Sequence, residues 1–287
     1  MGNITTAMVK QFGSNVAMLS QAKGSKLMNC VRLETGIVGE EAYYDQLAST
    51  AAVKKTTRNS DTPLVKSDHR RRRVSLYDFE WADLVDKEDK LKMLTDPENS
   101  YAQNAAWALG RATDDEIISA FSGTAYTGKA GGTSTVFLTA NKIAHASSNL
   151  TLTKLLNAKK LLDAADVDPD EPRFIAVTAK QVMDLLNTTE VKNADYNTVK
   201  ALAAGQIDTF LGFKFILCNR LAVNGTSNRL VPCWAKNGML LAMASGIKTE
   251  IERRSDKSYA TQVYVAMSIG STRMEEAKCV EIECEEA

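Results

Sequence analysis

A chain of 287 residues, 44% hydrophobic and 24% charged, can bury a sizeable core in one elaborate domain or two modest ones. Its 35 basic and 35 acidic residues cancel, which excludes the marked basic excess of proteins that bind nucleic acid through phosphate contacts. No run approaches the ~20 apolar residues that span a bilayer, MGNITTAMVKQF lacks the apolar run of a secretory signal, and five scattered cysteines without a CxxC pair argue for reduced thiols.

These features predict a protein that stays in the cytoplasm of the cell that makes it. Residues 1–37 carry few strong signals and read as an arm ordered by contact with something else. Residues 38–86 have an extended texture. Tyr43 and Tyr44 precede a threonine-rich polar stretch, NSDTP makes a turn, and residues 74–84 return with Tyr77, Phe79 and Trp81 alternating. The pattern predicts a long two-stranded ribbon, whose free edges invite pairing with another subunit. On it sit Arg70, Arg71, Arg72 and Arg73, directly after His69. Their forked donors suit carboxylates on an adjacent copy, with Asp114, Asp115 and Glu116 as the expected partners; a solvated basic strand and a nucleic-acid patch are the alternatives.

Residues 96–121 predict a single long helix. Asp96 suits the N-cap, Pro97 the first helical position and Glu98 the positive end of the dipole. Tyr101, Ala105, Ala108, Leu109, Ala112, Ile117, Ile118 and Phe121 give the apolar face, and Gly123 is placed to take a left-handed cap. The segment GTAYTGKAGGTSTVF nearly spells a phosphate-binding loop, but Ala130 stands where the magnesium-binding hydroxyl belongs. A helix also leads into it where a strand is needed, so nucleotide binding is not expected.

Residues 143–244 alternate helices and strands: a helix capped by Thr151 or Thr153, the buried strand PRFIAVT, the helix AKQVMDLLN, the helix NTVKALAAG, and two short strands turning at Gly212. No G-x-G-x-x-G and no nucleophile elbow occurs here, and His69 and His145 are the only histidines, so neither cofactor, metal ligand nor catalytic residue is expected. The final stretch is strand-rich. GMLLAMASGIKTEIERR, TQVYVAMSIGSTRM and KCVEIEC predict a sheet under the long helix, with Val280, Ile282 and Cys284 facing one way and Cys279, Glu281 and Glu283 the other.

The whole arrangement, with the words DTPLVKSDHRRRR, DPENSYAQNAAWALGRATDDEIISAFSGTA, TFLGFKFILCNRL, IKTEIERR and SIGSTRM, resembles a tailed-bacteriophage major capsid protein of the Hong Kong 97 type. The resemblance implies an α+β fold with an N-terminal arm (1–37), an extended β-hairpin loop (38–86), a peripheral domain (87–142 and 245–287, with spine helix 96–121 and a sheet) and an α/β axial domain (143–244). It implies a structural protein that assembles with itself into pentamers and hexamers of an icosahedral virion shell, around double-stranded DNA bound without sequence preference. Intersubunit contacts would come from Arg70 to Arg73, Tyr77, Phe79, Trp81 and Asp114 to Glu116. Assembly would take place in the host bacterial cytoplasm, with a portal, no membrane and room for a decoration protein. No long helical segment precedes the arm, which implies a separate scaffolding protein or a processed chain, and Met1 favours the former. Lys54, Lys55 and Lys66 could act as cross-link donors, but nothing identifies an acceptor. Two alternatives stand beside this reading: a shell protein of an encapsulin-like bacterial nanocompartment, and, from a different class, a cytoplasmic α/β enzyme.

Overall fold

The computed structural model describes residues 21–59, 61–85, 98–187, 209–225 and 228–286. Helix α1 spans Glu98–Ser122 and its 25 residues extend roughly 37 Å. Asp96 and Pro97 lie outside the described residues. Ala105, Leu109, Ile117 and Phe121 recur at a spacing of one turn and are buried against a sheet, while Gly110, Asp114 and Ile118 are buried along a second stripe. The helix is therefore covered on two sides. On the second side lies the strap formed by residues 21–31.

Fourteen strands form three sheets among the described residues. The first sheet has the order β1 (Arg32–Thr35), β12 (Met239–Arg254), β13 (Ala260–Arg273), β4 (Tyr77–Val85), and α1 packs mainly on β13. Strand β1 runs parallel to β12, and the other pairs are antiparallel. Val263, Val265, Met267 and Ile269 of β13 alternate toward the core, as period-two patterning demands. Two bulges interrupt β12 between Met243 and Lys248, and its outer half is exposed along β13, whose own residues there stay buried or half-buried beside β4.

The second sheet has six strands in the order β7 (Lys142–Ile143), β14 (Cys279–Glu285), β11 (Asn228–Ala235), β8 (Arg173–Val177), β10 (Phe213–Leu217), β9 (Thr209–Phe210). Helix α2 (Leu152–Ala164) packs on it, capped by Thr151, whose side chain accepts from Lys154 N. Helix α3 (Ala179–Asn187) follows β8. The turn at Gly212 forms as expected, with Leu211 at φ +54° and Gly212 at φ +86°. The helix expected over NTVKALAAG lies outside the described residues.

The third sheet is the ribbon and its root, in the order β2 (Glu41–Leu47), β3 (His69–Ser75), β5 (Ala125–Thr127), β6 (Thr133–Thr135).

Four expectations are corrected. The expected ribbon splits: β2 pairs with β3, but the alternating strand with Tyr77, Phe79 and Trp81 crosses at Leu76 into the first sheet and pairs with β13. The crossing is possible because Gly270 of β13 has no side chain, and a Cβ there would collide with the Ser75 carbonyl. The strands near the C-terminal end also divide between the sheets differently from the expected single sheet under the helix. Residues 239–244 belong to the sheet under α1, whereas β14, expected there, lies between β7 and β11 in the six-stranded sheet. Both faces of β14 are covered, so Cys279 and Glu281 are buried along with Val280, Ile282 and Cys284. The glycine-rich segment is a hairpin of β5 and β6 with Gly128 and Gly131 at positive φ, where a coil was expected.

Gly123 is not left-handed. Its N–H bonds to Ser119 O at 2.9 Å, and the helix carbonyls that a left-handed cap would serve are taken by a buried side chain, that of Arg273.

Candidate functional site

Strand geometry divides the four arginines. Successive side chains point to opposite faces, so Arg71 and Arg73 share one face of β3 and Arg70 and Arg72 the other. On the first face Arg71 donates through Nε to Asp45 Oδ1 (2.6 Å) and through Nη2 to Asp45 Oδ2 (3.1 Å), directly across the β2–β3 ladder. This pairing holds the Asp45 carboxyl below its ordinary pKa. Arg73 reaches Glu41 at 3.1 Å and lies over the Tyr126 ring at 4.6 Å. Glu41 also accepts from the Tyr43 hydroxyl at 2.7 Å, which raises the phenol pKa. Gly131 turns the β5–β6 hairpin against this face; a Cβ there would lie 2.6 Å from Arg73 Cδ.

On the other face Arg72 is only 4% exposed. Its Nε donates to Met274 O at 2.9 Å, and its Nη2 pairs with Glu276 Oε2. Beside that pair lies Arg273, fully buried at the end of β13. Its Nη1 donates to Phe121 O (2.6 Å), Ala120 O (3.1 Å) and Gly123 O, and its Nη2 to Thr135 O (3.2 Å). A guanidinium here meets the negative end of the helix dipole and satisfies the carbonyls that α1 leaves free. Burial pushes its pKa down, and Glu276 acts against that shift. Nearby, Glu281 pairs with Lys142 at 2.8 Å and accepts from Ser122 Oγ at 3.0 Å.

The carboxylates expected to meet the arginines are elsewhere. Asp114, 1% exposed, accepts from Ser25 Oγ (2.6 Å), Lys26 N (3.0 Å) and Leu27 N (3.0 Å), and so anchors the strap to α1. The strap can lie that close because Gly110 has no Cβ, which would otherwise stand 2.6 Å from the Gly24 backbone. Asp115 forms a two-pronged ion pair with Arg220. Glu116 is half-buried, and desolvation raises its pKa against a hydrogen bond from the Ser271 backbone. Phe79 and Trp81 pack half-buried against their own subunit's core, while Tyr77 is 57% exposed and Arg70 is exposed. Arg72 and Asp114, expected at contacts between copies, are buried here, each with partners in its own chain. Sequence reasoning missed Glu41, Asp45, Glu276 and Arg273. The first two were within reach, since a hairpin pairing β2 with β3 brings them opposite the arginines.

Among the described residues no cluster of His, Cys, Asp and Glu is placed to hold a metal ion, and no helix is long and apolar enough to cross a membrane. The five cysteines are free. A cavity of about 470 Å³ between α2 and the β9–β10 turn is lined by Lys159, Asp163, Arg173 and Leu211; Arg173 is held there by Asp163 at 2.6 Å.

The sequence profile of the family described as "Phage capsid protein" matches residues 4–286, nearly the entire chain. The chain belongs to that family. As a phage capsid protein it is a structural, non-enzymatic component of a virion shell. Solved structures carry the same Hong Kong 97-like fold. The capsid of the cyanophage P-SCSP1u is similar with a TM-score of 0.75 at 14% identity, covering 100% of this chain and 96% of that one. The capsid of Ralstonia phage GP4 gives 0.73 at 10% identity, with 98% and 96% covered. The capsid of a native GTA particle gives 0.68 at 13% identity, with 100% of both covered. No curated protein sequence matches the chain.

Proposed function

We propose that copies of this capsid protein associate head to tail into pentamers and hexamers, which tile an icosahedral shell around double-stranded DNA. The observation that carries this reading is the ribbon. Among the described residues its outermost backbone bond joins Ala48 N to Asp68 O; Leu47, at the end of β2, is 68% exposed, and beyond the bond Val53 and Leu64 are 60% and 94% exposed. Apolar side chains held out on an arm are covered when a neighbouring copy lies beneath them. Arg70 and Tyr77, exposed at the ribbon and just past its root, are among the site residues we propose for contact with that neighbour.

In this reading the six-stranded sheet sits at the centre of each ring and the sheet under α1 at its periphery. A heterologous contact closes a ring when its rotation closes, and rings then tile. A net charge of zero supports a container that does not grip its contents. A separate scaffolding protein and a portal complete the assembly in the host bacterial cytoplasm, and a decoration protein can add to the outside.

The test is negative-stain electron microscopy with light scattering, on the full chain and on a variant with residues 50–66 replaced by a short Gly-Ser link. The full chain is expected to give closed shells or rings of five and six, and the variant a folded protein with the mass of one chain. Shells from the shortened variant would remove the ribbon from the mechanism. A single small species from the full chain, even with its neighbouring genes coexpressed, would overturn the shell reading.

A further inference from the structure

Glu276 stands between two arginines from different parts of the fold. Arg72 rides on the ribbon, whereas Arg273 and Glu276 belong to the body. Glu276 Oε2 is paired with Arg72, while its Oε1 lies 3.9 Å from Arg273 Nε, too far for a hydrogen bond. Arg72 Nη1, Arg273 Nε and Glu276 Oε1 are all buried without a hydrogen-bond partner among the described residues. A partly satisfied buried network has a better arrangement within reach. Here it is visible: a small turn of Glu276 closes the 3.9 Å gap, satisfies two of the three orphaned atoms and loosens the hold on Arg72.

Backbone pairing ties β3 to β5 at Arg72–Thr127 and Arg73–Tyr126, so the β5–β6 hairpin moves with the ribbon; the rest of the root permits movement. The chain enters the ribbon through Gly36 (φ +76°) and Gly39 (φ +113°), where an added Cβ would find no atom closer than 3.9 Å, and leaves it at Ser75 and Leu76 over the Gly270 notch. Val74 meets Leu240, Ala242 and Met274 through apolar contact, which is non-directional. Gln46 adds one neutral bond, from Nε2 to Met274 O at 2.8 Å.

We propose that Arg72, Glu276 and Arg273 form a latch that sets the angle of the ribbon on the body. With Glu276 on Arg72 the ribbon is held; with Glu276 given over to Arg273 it swings as a unit with the β5–β6 hairpin, on the crossings at residues 36–40 and 75–76. Because Arg273 also holds the end of α1, the latch links ribbon angle to the C-terminal turn of the long helix.

The variant that tests this is Arg72→Met in the full chain. It leaves the Arg273–Glu276 pair neutral, and Met274 O keeps its Gln46 donor, so the body stays folded. In hydrogen-exchange mass spectrometry, peptides covering residues 34–40 and 74–78 are expected to exchange about ten-fold faster than in the wild type, while residues 263–269 change by less than about two-fold. Arg72→Lys, which keeps a cation in reach of Glu276, is expected to lie between the two. Unchanged exchange at the root, equal acceleration at residues 263–269, or failure of Arg72→Met to fold would each overturn the latch and make Arg72 a plain stability residue.

Discussion

Glu276 is one carboxylate answering two buried cations, and the three are not interchangeable. Replacing Arg72 by methionine removes one cation from a trio that has one to spare. Replacing Glu276 by glutamine keeps the shape but leaves both guanidinium groups without the carboxylate that faces them. We therefore expect Glu276→Gln to lose about 3–5 kcal/mol of stability in urea unfolding and Arg72→Met about 1–2 kcal/mol. Equal losses, or the reverse order, would show that the carboxylate is not the hub. Lys154 illustrates the contrasting case of a saturated buried charge. Its ammonium donates to the carbonyls of His145 (2.8 Å), Ser148 (2.7 Å) and Glu283 (2.9 Å), so every donor is used and no alternative arrangement competes.

Among the elements, α1 gains its rigidity from two coverings, the first sheet on one side and the strap on the other. Asp114 is the buried anchor of the strap, and Arg111 adds bonds to Gln21 Oε1 (2.8 Å) and Ala22 O (3.2 Å). Asp114→Ala leaves Lys26 N, Leu27 N and Ser25 Oγ without their acceptor, and about 2–3 kcal/mol of stability should be lost. Protease cleavage in residues 21–31 should then precede global unfolding; a variant as resistant as the wild type would show that Gly110 packing, the Arg111 bonds and the burial of Leu27 retain the strap without Asp114. Much of this was legible in the sequence and some was not. Alanines and isoleucines at helical spacing reveal α1, and the alternation of Tyr77, Phe79 and Trp81 reveals a strand. Period two says which side chains share a face, however, and nothing about which strand lies alongside, so β4 was assigned to the ribbon and β14 to the sheet under α1. Local signals end where pairing becomes non-local. The role of Asp114 was hidden for the same reason, since Lys26 is 88 residues away along the chain. Arg273 closing α1 shows the limit of capping rules, which look only at neighbours in sequence.

At the scale of the molecule, a single buried cluster runs through Leu109 and Phe121 of α1, Val265 and Met267 of β13, Ile175 of β8 and Ile282 of β14. Phe121, Trp234 and Phe174 continue it as tilted ring contacts, with centroids 6.2 and 6.1 Å apart. The two larger sheets therefore share one core and should melt together. Calorimetry of the unassembled chain is expected to give one transition with calorimetric and van't Hoff enthalpies in agreement. Two resolved transitions would show that the sheets are independent domains.

The place of β14 has a further consequence, in time. Lys142 and Ile143 wait for Glu281 and Ile282, and Val231 and Cys233 for Ile282 and Val280, so the six-stranded sheet cannot close while the chain is still short of those residues on the ribosome. Pairings of such long range fold slowly and leave strand edges open meanwhile. Until β14 arrives, the edge of β11 is open to wrong pairing. The emergence of β14 thus sets the earliest moment at which the six-stranded sheet takes its final form.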